Sequence, residues 1–303
     1  MSATPELTAG APAVARGGLR QVAADYVTLT KPRVQLLLLL TTVTTMYVAG
    51  DPSLGLVALT VVGGFLSAGG AAAFNHSWDR DIDLAMERTS TRPVPSGRVA
   101  PGAALLYGFV LQGLSFALLA TTVNLLAALL ALAGFLWYTL VYTVWLKRRT
   151  PQNIVIGGAA GAVPPLVGWA AVTGGLEPAA LYLFAIVFYW TPPHFWALSL
   201  LMKDEYARAG VPMLPVVRGE AFTRGAILRY TLVLVAVTLT PVATGLFGGF
   251  YAAAAVVLGG AFVAMAVKLL RTVERRPALR TYLFSLAYLA LLFAAMVVDA
   301  RVF

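Results

Sequence analysis

The chain contains no cysteine, which excludes disulfides, thiolate metal sites and the covalent attachment of c-type haem. Any metal it binds must be held by oxygen or imidazole, and imidazole is nearly absent, with only His76 and His194. Charge is scarce as well: 12% of the 303 residues are charged, against about a quarter in an ordinary soluble domain. Acids are the rarer sign, 13 against 22 basic residues, for a formal net charge of +9. With 59% hydrophobic residues the composition is that of a membrane protein.

What is abundant is long apolar runs. Nine reach the roughly 20 residues needed to cross a bilayer: 34–50, 54–74, 101–120, 123–145, 153–173, 179–200, 227–246, 250–270 and 279–298. Runs of this length predict helices; barrel strands would alternate every second residue. Lys and Arg collect in cytoplasmic loops. With nine spans and a cytoplasmic N-terminus, every basic residue except Arg301 falls inside, and the C-terminus lies outside. The positive charge is therefore a topology signal and an attraction to anionic headgroups, not a nucleic-acid footprint. Residues 1–25 are rich in Ala, Gly and Pro, lack the apolar core of a secretory signal, and are expected to form a disordered cytoplasmic tail before one domain over 26–303.

The outside loops are short and bland, whereas two inside loops, 75–100 and 201–226, are long, polar and mixed in charge. Function is expected on the inside face. Asn75, Asp79 and Asp83 follow i, i+4, i+8 spacing, which on one helix makes a slanting stripe about 12 Å long, with Asp81 nearly opposite and replaceable. Two carboxylates and an amide suit Mg²⁺, which takes one or two carboxylates and completes its shell with water and substrate phosphate. Arg88 and Arg92, a short turn later, suit phosphate oxygens. The plain alternative is a solvated juxtamembrane helix with i, i+4 pairing, but Asn75 and Asp79 fall at the membrane boundary, where ionisable groups are costly.

The second loop begins with Lys203, Asp204 and Glu205, a second acid pair for metal or a surface charge cluster. Before it, Pro192 and Pro193 are expected to kink or break the sixth span. Trp190, His194, Phe195 and Trp196 surround that break. His194 and Trp196 are candidate substrate contacts, although a packed histidine and an interfacial tryptophan are the plainer readings.

These residues carry a resemblance. "NHSWDRDIDLAMERTSTRPVPSGRV" is similar to the Asn-x-x-x-Asp-x-x-x-Asp signature of the UbiA-type intramembrane prenyltransferases. "LTKPRV", "TPPHFW" and "KDEYARAGVPMLPVV" resemble one branch, the protohaem IX farnesyltransferases. The resemblance covers about 25–298. It implies an all-α bundle of nine transmembrane helices around a central cavity in the cell membrane, with its two acid motifs facing each other at the cytoplasmic mouth.

It further implies Mg²⁺ as cofactor, farnesyl diphosphate and haem B as substrates, haem O as product, and haem A synthase or terminal-oxidase assembly factors as candidate partners. Site residues carried over are Asp79, Asp83, Asp204 and Glu205 as catalytic and metal-binding groups, with Asn75. Lys31, Arg33, Arg88, Arg92, Lys203, His76, His194 and Trp196 are the substrate-binding set. The second motif departs from the superfamily's Asp-x-x-x-Asp, because the residue four after Asp204 is Arg208, so either Asp204 or Glu205 meets the metal. Trp78, Tyr189 and Trp190 are candidates to stabilise an allylic cation through their π-faces. A quinone or chlorophyll precursor is the alternative acceptor, and transport the alternative class; acids clustered at one face argue against a carrier.

Overall fold

The computed structural model describes residues 18–272 and 274–302, and among these the regular structure is helical. After α1 (Leu19–Leu29) come α2 (Pro32–Ala49), α3 (Leu54–Trp78), the short α4 (Arg80–Ala85), α5 (Pro101–Thr122) and α6 (Leu125–Leu136). A π-helical segment, Trp137–Leu146, continues α6, followed by α7 (Asn153–Gly157), α8 (Ala159–Thr173) and α9 (Pro178–Leu201). The chain ends with α10 (Lys203–Arg208), α11 (Leu214–Val217), α12 (Gly219–Ala243), α13 (Gly249–Leu270) and α14 (Arg275–Val302).

Helix starts follow local chemistry. Pro occupies the first turn of α2, α5 and α9, where a missing N–H costs nothing. Ser53 and Asn124 accept from the backbone of Leu56 and Ala127 to cap α3 and α6. Among the described residues, eight helical stretches are long and apolar enough to cross a membrane; the 24-residue α9, diluted by Tyr, Trp, Thr, Pro and His, is not one of them.

Neighbours in sequence are neighbours in space: α2, α3, α5, α6, α8, α9, α12, α13 and α14 pack each on the next, and α14 closes on α2. Small residues and buried polar bonds hold the ring, as expected where lipid offers no hydrophobic drive between helices. A Cβ on Gly70 would lie 2.6 Å from the Gly108 carbonyl, and one on Gly108 2.8 Å from that of Gly70, so α3 and α5 meet backbone to backbone. Ser115 donates to the Gly63 carbonyl and Asn124 to that of Ala170. Asp299, buried on α14, accepts from the backbone N–H groups of Gly248 and Tyr251 at the α13 N-terminus, where the helix dipole favours a carboxylate.

Three expectations need correction. Of the expected disordered tail, residues 1–17 lie outside the described residues, but Leu19–Leu29 is helix. It is tied down by Asp25, whose two oxygens accept from Arg98 at 3.1 Å, and by Leu29, buried among Ala73, Val94, Val99 and Ala104. Of the kink or break expected in the sixth span, the break does not occur: α9 runs through Pro192 and Pro193, leaving the Phe188 and Tyr189 carbonyls without their i+4 donors. The acid stripe is not one straight helix, because α3 ends at Trp78 and Asp79 (φ −93°, ψ 18°) joins it to α4.

Candidate active site

Despite that joint, Asn75, Asp79 and Asp83 stay together. Asp79 N–H donates to the Asn75 carbonyl and Asp83 N–H to that of Asp79, so helical bonding bridges the bend. All three are buried, Asp79 completely. Carboxylates so placed need partners. The Lys147 ammonium contacts Asp79 Oδ2, Asn75 Nδ2 donates to the same oxygen at 2.5 Å, and Arg148 reaches Oδ1 at 3.4 Å. Arg92 Nη1 donates to both oxygens of Asp83 at 2.9 Å.

The π-helical segment delivers Lys147 to this place. Its wider turn closes with the Lys147 N–H donating to the Tyr142 carbonyl, five residues back, and such segments recur at functional sites. Asn153 donates to the Lys147 carbonyl from the other side of the loop. Burial alone would lower the Lys147 pKa, but the Asp79 carboxylate outweighs it and holds the ammonium above its ordinary value.

Asp81 is exposed, as expected of the opposite face, yet it is not idle. It accepts from both terminal nitrogens of Arg148, at 2.6 and 2.7 Å, and so aims that guanidinium at Asp79. The Arg148 hydrogen bond holds the Asp81 carboxyl down at about 2.

Lys31 completes the mouth. It is the one described non-glycine residue with positive φ (51°), wedged between α1 and Pro32 at the start of α2. A left-handed lysine costs about 1–2 kcal/mol, a strain typical of functional positions. The turn is pinned by Gln35, which donates to the Thr30 carbonyl, and Lys31 Nζ donates to Asn75 Oδ1 at 2.8 Å. Burial, then Arg92, lower the Lys31 pKa to about 7. The cation is therefore complete below pH 7 and lost above it. If an anionic ligand restores the proton, its affinity falls about tenfold from pH 6 to pH 8. Titrating diphosphate binding by calorimetry checks this, and Lys31→Arg should flatten the profile.

Behind the mouth lies a chamber of about 330 Å³, lined almost wholly by apolar groups of α2, α3, α6, the π segment, α8 and α9. Lys31 and Tyr142 stand at its head; Thr42, Gly64 and Val167 lie deepest. Along α2, the eleven residues from Lys31 to Thr42 correspond to a depth of about 16 Å.

Other expected site residues lie elsewhere. Of α9, Thr191 and Phe195 line the chamber. Trp190 and His194, each one position earlier and so about 100° away around the helix, face α14. His194 Nδ1 and Ser285 Oγ are 2.7 Å apart, and its ring stacks between Trp190 and Tyr282. Trp196 is buried edge-on against Tyr230. His194 and Trp196 are thus packing residues here. His76 is buried with neither ring nitrogen bonded, its Nδ1 3.9 Å from Asp83 Oδ2, and it does not reach the chamber.

Trp78 is exposed, and neither it nor Tyr189 or Trp190 lines the chamber; Phe135, Tyr138, Tyr142 and Phe195 are the aromatic rings that do. Arg33 is exposed on α2. Lys203 and Asp204 line a separate polar cavity of about 180 Å³ with Glu220, Arg224 and Arg275. Glu205 keeps a buried, unpartnered Oε2, and its neighbour Tyr206 is raised in pKa by burial. The two loops meet where Ile82 and Met86 share a buried apolar cluster with Tyr206.

Among the described residues no three acids or histidines converge into a self-sufficient metal site. Two buried carboxylates and the Asn75 amide oxygen, at a mouth crowded with cations, fit an ion such as Mg²⁺ that arrives with phosphate oxygens as its remaining ligands. Lys147, Arg148, Tyr142 and Tyr206 were not legible as site residues. "LKRR" read as a topology charge cluster, and nothing in the chain marks its pairing with acids 68 residues earlier.

A ring of long apolar helices thus encloses an apolar chamber, with a buried Asn/Asp/Asp set and its basic partners beside the head of that chamber. The chain belongs to the UbiA prenyltransferase family, whose model matches residues 38–293. It is 56% identical over 281 residues, 92% of its length, to a protoheme IX farnesyltransferase of Roseiflexus castenholzii, spanning about half (52%) of that relative. A Symbiobacterium thermophilum relative of the same name is 55% identical, with 92% of this chain and 95% of the relative covered.

The same fold is found in a solved structure of digeranylgeranylglyceryl phosphate synthase, at TM-score 0.77 and 17% identity over 93% of this chain and 100% of that one. It recurs in an Archaeoglobus fulgidus UbiA homologue bound to GPP and Mg²⁺, at TM-score 0.65 and 17% identity over 90% of this chain and 99% of that one.

Proposed function

We propose that this chain transfers the farnesyl group of farnesyl diphosphate to a vinyl carbon of haem B, with addition of water, yielding haem O and diphosphate. The carrying observation is the buried Asn75, Asp79 and Asp83 set, both carboxylates already paired with a cation, joined through the Lys31–Asn75 hydrogen bond to the head of an apolar chamber. The acceptor follows from the name shared by the relatives, including one matched over nearly its full length.

Asn75, Asp79 and Asp83 would hold Mg²⁺ together with diphosphate oxygens, and the chemistry that ion supplies is neutralisation of charge on the leaving group. Lys147, Arg148 and Arg92, which now neutralise the carboxylates, are then free to turn to the diphosphate. Their interaction strengthens as the allylic carbon–oxygen bond breaks and negative charge collects on the leaving oxygens, so it lowers the barrier. Lys31 and Arg88 complete the basic rim. Of the second-loop acids we favour Glu205, for its buried unpartnered oxygen, over the exposed Asp204. The apolar walls exclude water until the allylic cation meets its acceptor, and Phe135 and Tyr138 in the lining are the aromatic candidates to stabilise it.

The setting we favour is a single domain of nine spans in the cell membrane, with a cytoplasmic N-terminus and site and an outer C-terminus. Its support is the basic-residue asymmetry together with α9 as the ninth long helix in the ring. Incubating the purified protein with haem B, farnesyl diphosphate and Mg²⁺ should yield haem O by mass spectrometry. Absence of that product from the native protein refutes the reading.

A further inference from the structure

Five glycines line the chamber, and three are explained by what their neighbours occupy. A Cβ on Gly157 would lie 2.3 Å from the Tyr142 ring, one on Gly158 2.7 Å from the Ile154 carbonyl and one on Gly134 3.2 Å from Val163, whereas one on Gly64 would make an ordinary contact 3.5 Å from Leu39. Gly161 is different: a Cβ there meets nothing within 4 Å. Helix packing does not ask for glycine at this position, and glycine inside a helix costs about 0.5–1 kcal/mol relative to alanine. What lies in front of it is the lumen.

Its depth matters. Gly161 is one turn, about 6 Å, deeper than Gly157, which packs on Tyr142 at the head. Val167, at the far end, is about 9 Å deeper still. Gly161 therefore stands midway along the chamber. Across the lumen, the facing walls of α3 and α2 carry Ala68 and Leu38.

We propose that Gly161 is a specificity-determining residue that sets the length of prenyl chain the chamber accepts, its missing side chain keeping the passage open to the deep half. A one-unit chain would occupy the head without passing this point, whereas the end unit of a three-unit chain must pass it. This rests on the prenyl-transfer reading above. It does not depend on the acceptor, so it is tested without haem.

The experiment measures Mg²⁺-dependent binding of dimethylallyl, geranyl and farnesyl diphosphates to the full chain in detergent or nanodiscs. The proteins are the native chain, Gly161→Ala, Gly161→Leu and, as a control, Gly113→Leu. Gly113 is exposed on α5, away from the chamber, with equally open space around its Cβ. Gly161→Leu should weaken farnesyl diphosphate by about thirtyfold or more while leaving dimethylallyl diphosphate within about threefold, since hydrophobic pockets discriminate by such factors per group. Gly161→Ala, which favours the helix, should shift the same ratio by about threefold in the same direction. The control should leave it unchanged.

Equal weakening of all three ligands, or an unchanged ratio in both Gly161 variants, overturns the inference. So does a native protein with no preference among chain lengths. If Gly161→Leu loses its cooperative thermal transition, the alanine variant alone decides. A native protein that binds farnesyl diphosphate but makes no haem O defeats the acceptor reading and leaves the role of Gly161 standing.

Discussion

Asp79→Asn is expected to lower turnover about a thousandfold, some 4 kcal/mol of barrier, while the protein still folds and inserts. The isosteric amide keeps the shape of a completely buried site. It removes the charge that balances Lys147 and Arg148 and that, in the proposed reaction, draws a divalent ion. Farnesyl diphosphate turnover at saturating Mg²⁺, with thermal unfolding as a folding control, measures it. Asp81→Asn is the comparison: that carboxylate is exposed and acts on Asp79 only through Arg148, so the loss should stay within about tenfold. Full activity in the Asp79 variant would remove the metal role from the Asn/Asp/Asp set.

Lys147→Met should be the second most damaging change, for two reasons that different measurements separate. Removing one partner of a buried ion pair leaves an uncompensated carboxylate at a typical cost of about 3–5 kcal/mol, which Arg148 offsets only in part. Thermal unfolding in detergent should therefore move downward. In the proposed reaction the ammonium is also one of the groups freed to meet the leaving diphosphate, so kcat should fall about a hundredfold even at temperatures where the variant is folded. Lys147→Arg should restore stability more than turnover, because the longer planar group keeps the charge but changes its reach. A variant with native kcat would confine Lys147 to holding the apo site together.

How much of this was readable beforehand differs by residue. Asp79, Asp83 and Arg92 stood out because ionisable groups at a membrane boundary have few reasons to be there, and the structure buries both carboxylates beside the Asn75 amide with Arg92 on Asp83. His194 and Trp196 stood out for rarity and size, which say nothing about which way a helical side chain points. A rotation of one residue position put Thr191 and Phe195 on the chamber and turned His194 to Ser285. Asp204 and Glu205 are adjacent in the chain and diverge in space, one in a separate cavity and one with a buried free oxygen. Residues 19–25 read as tail because composition cannot show a pairing as distant as Asp25 with Arg98.

By itself, then, the sequence determined the membrane setting and the long apolar spans. Those follow from transfer free energies that each residue carries independently of its neighbours. Only the tertiary structure decided which cation stands on which carboxylate, which face of α9 meets the chamber, and which of its glycines borders open space. Those depend on contacts between residues far apart in the chain, where a helical turn of register or a local π-segment moves a group from lipid or protein core into the lumen.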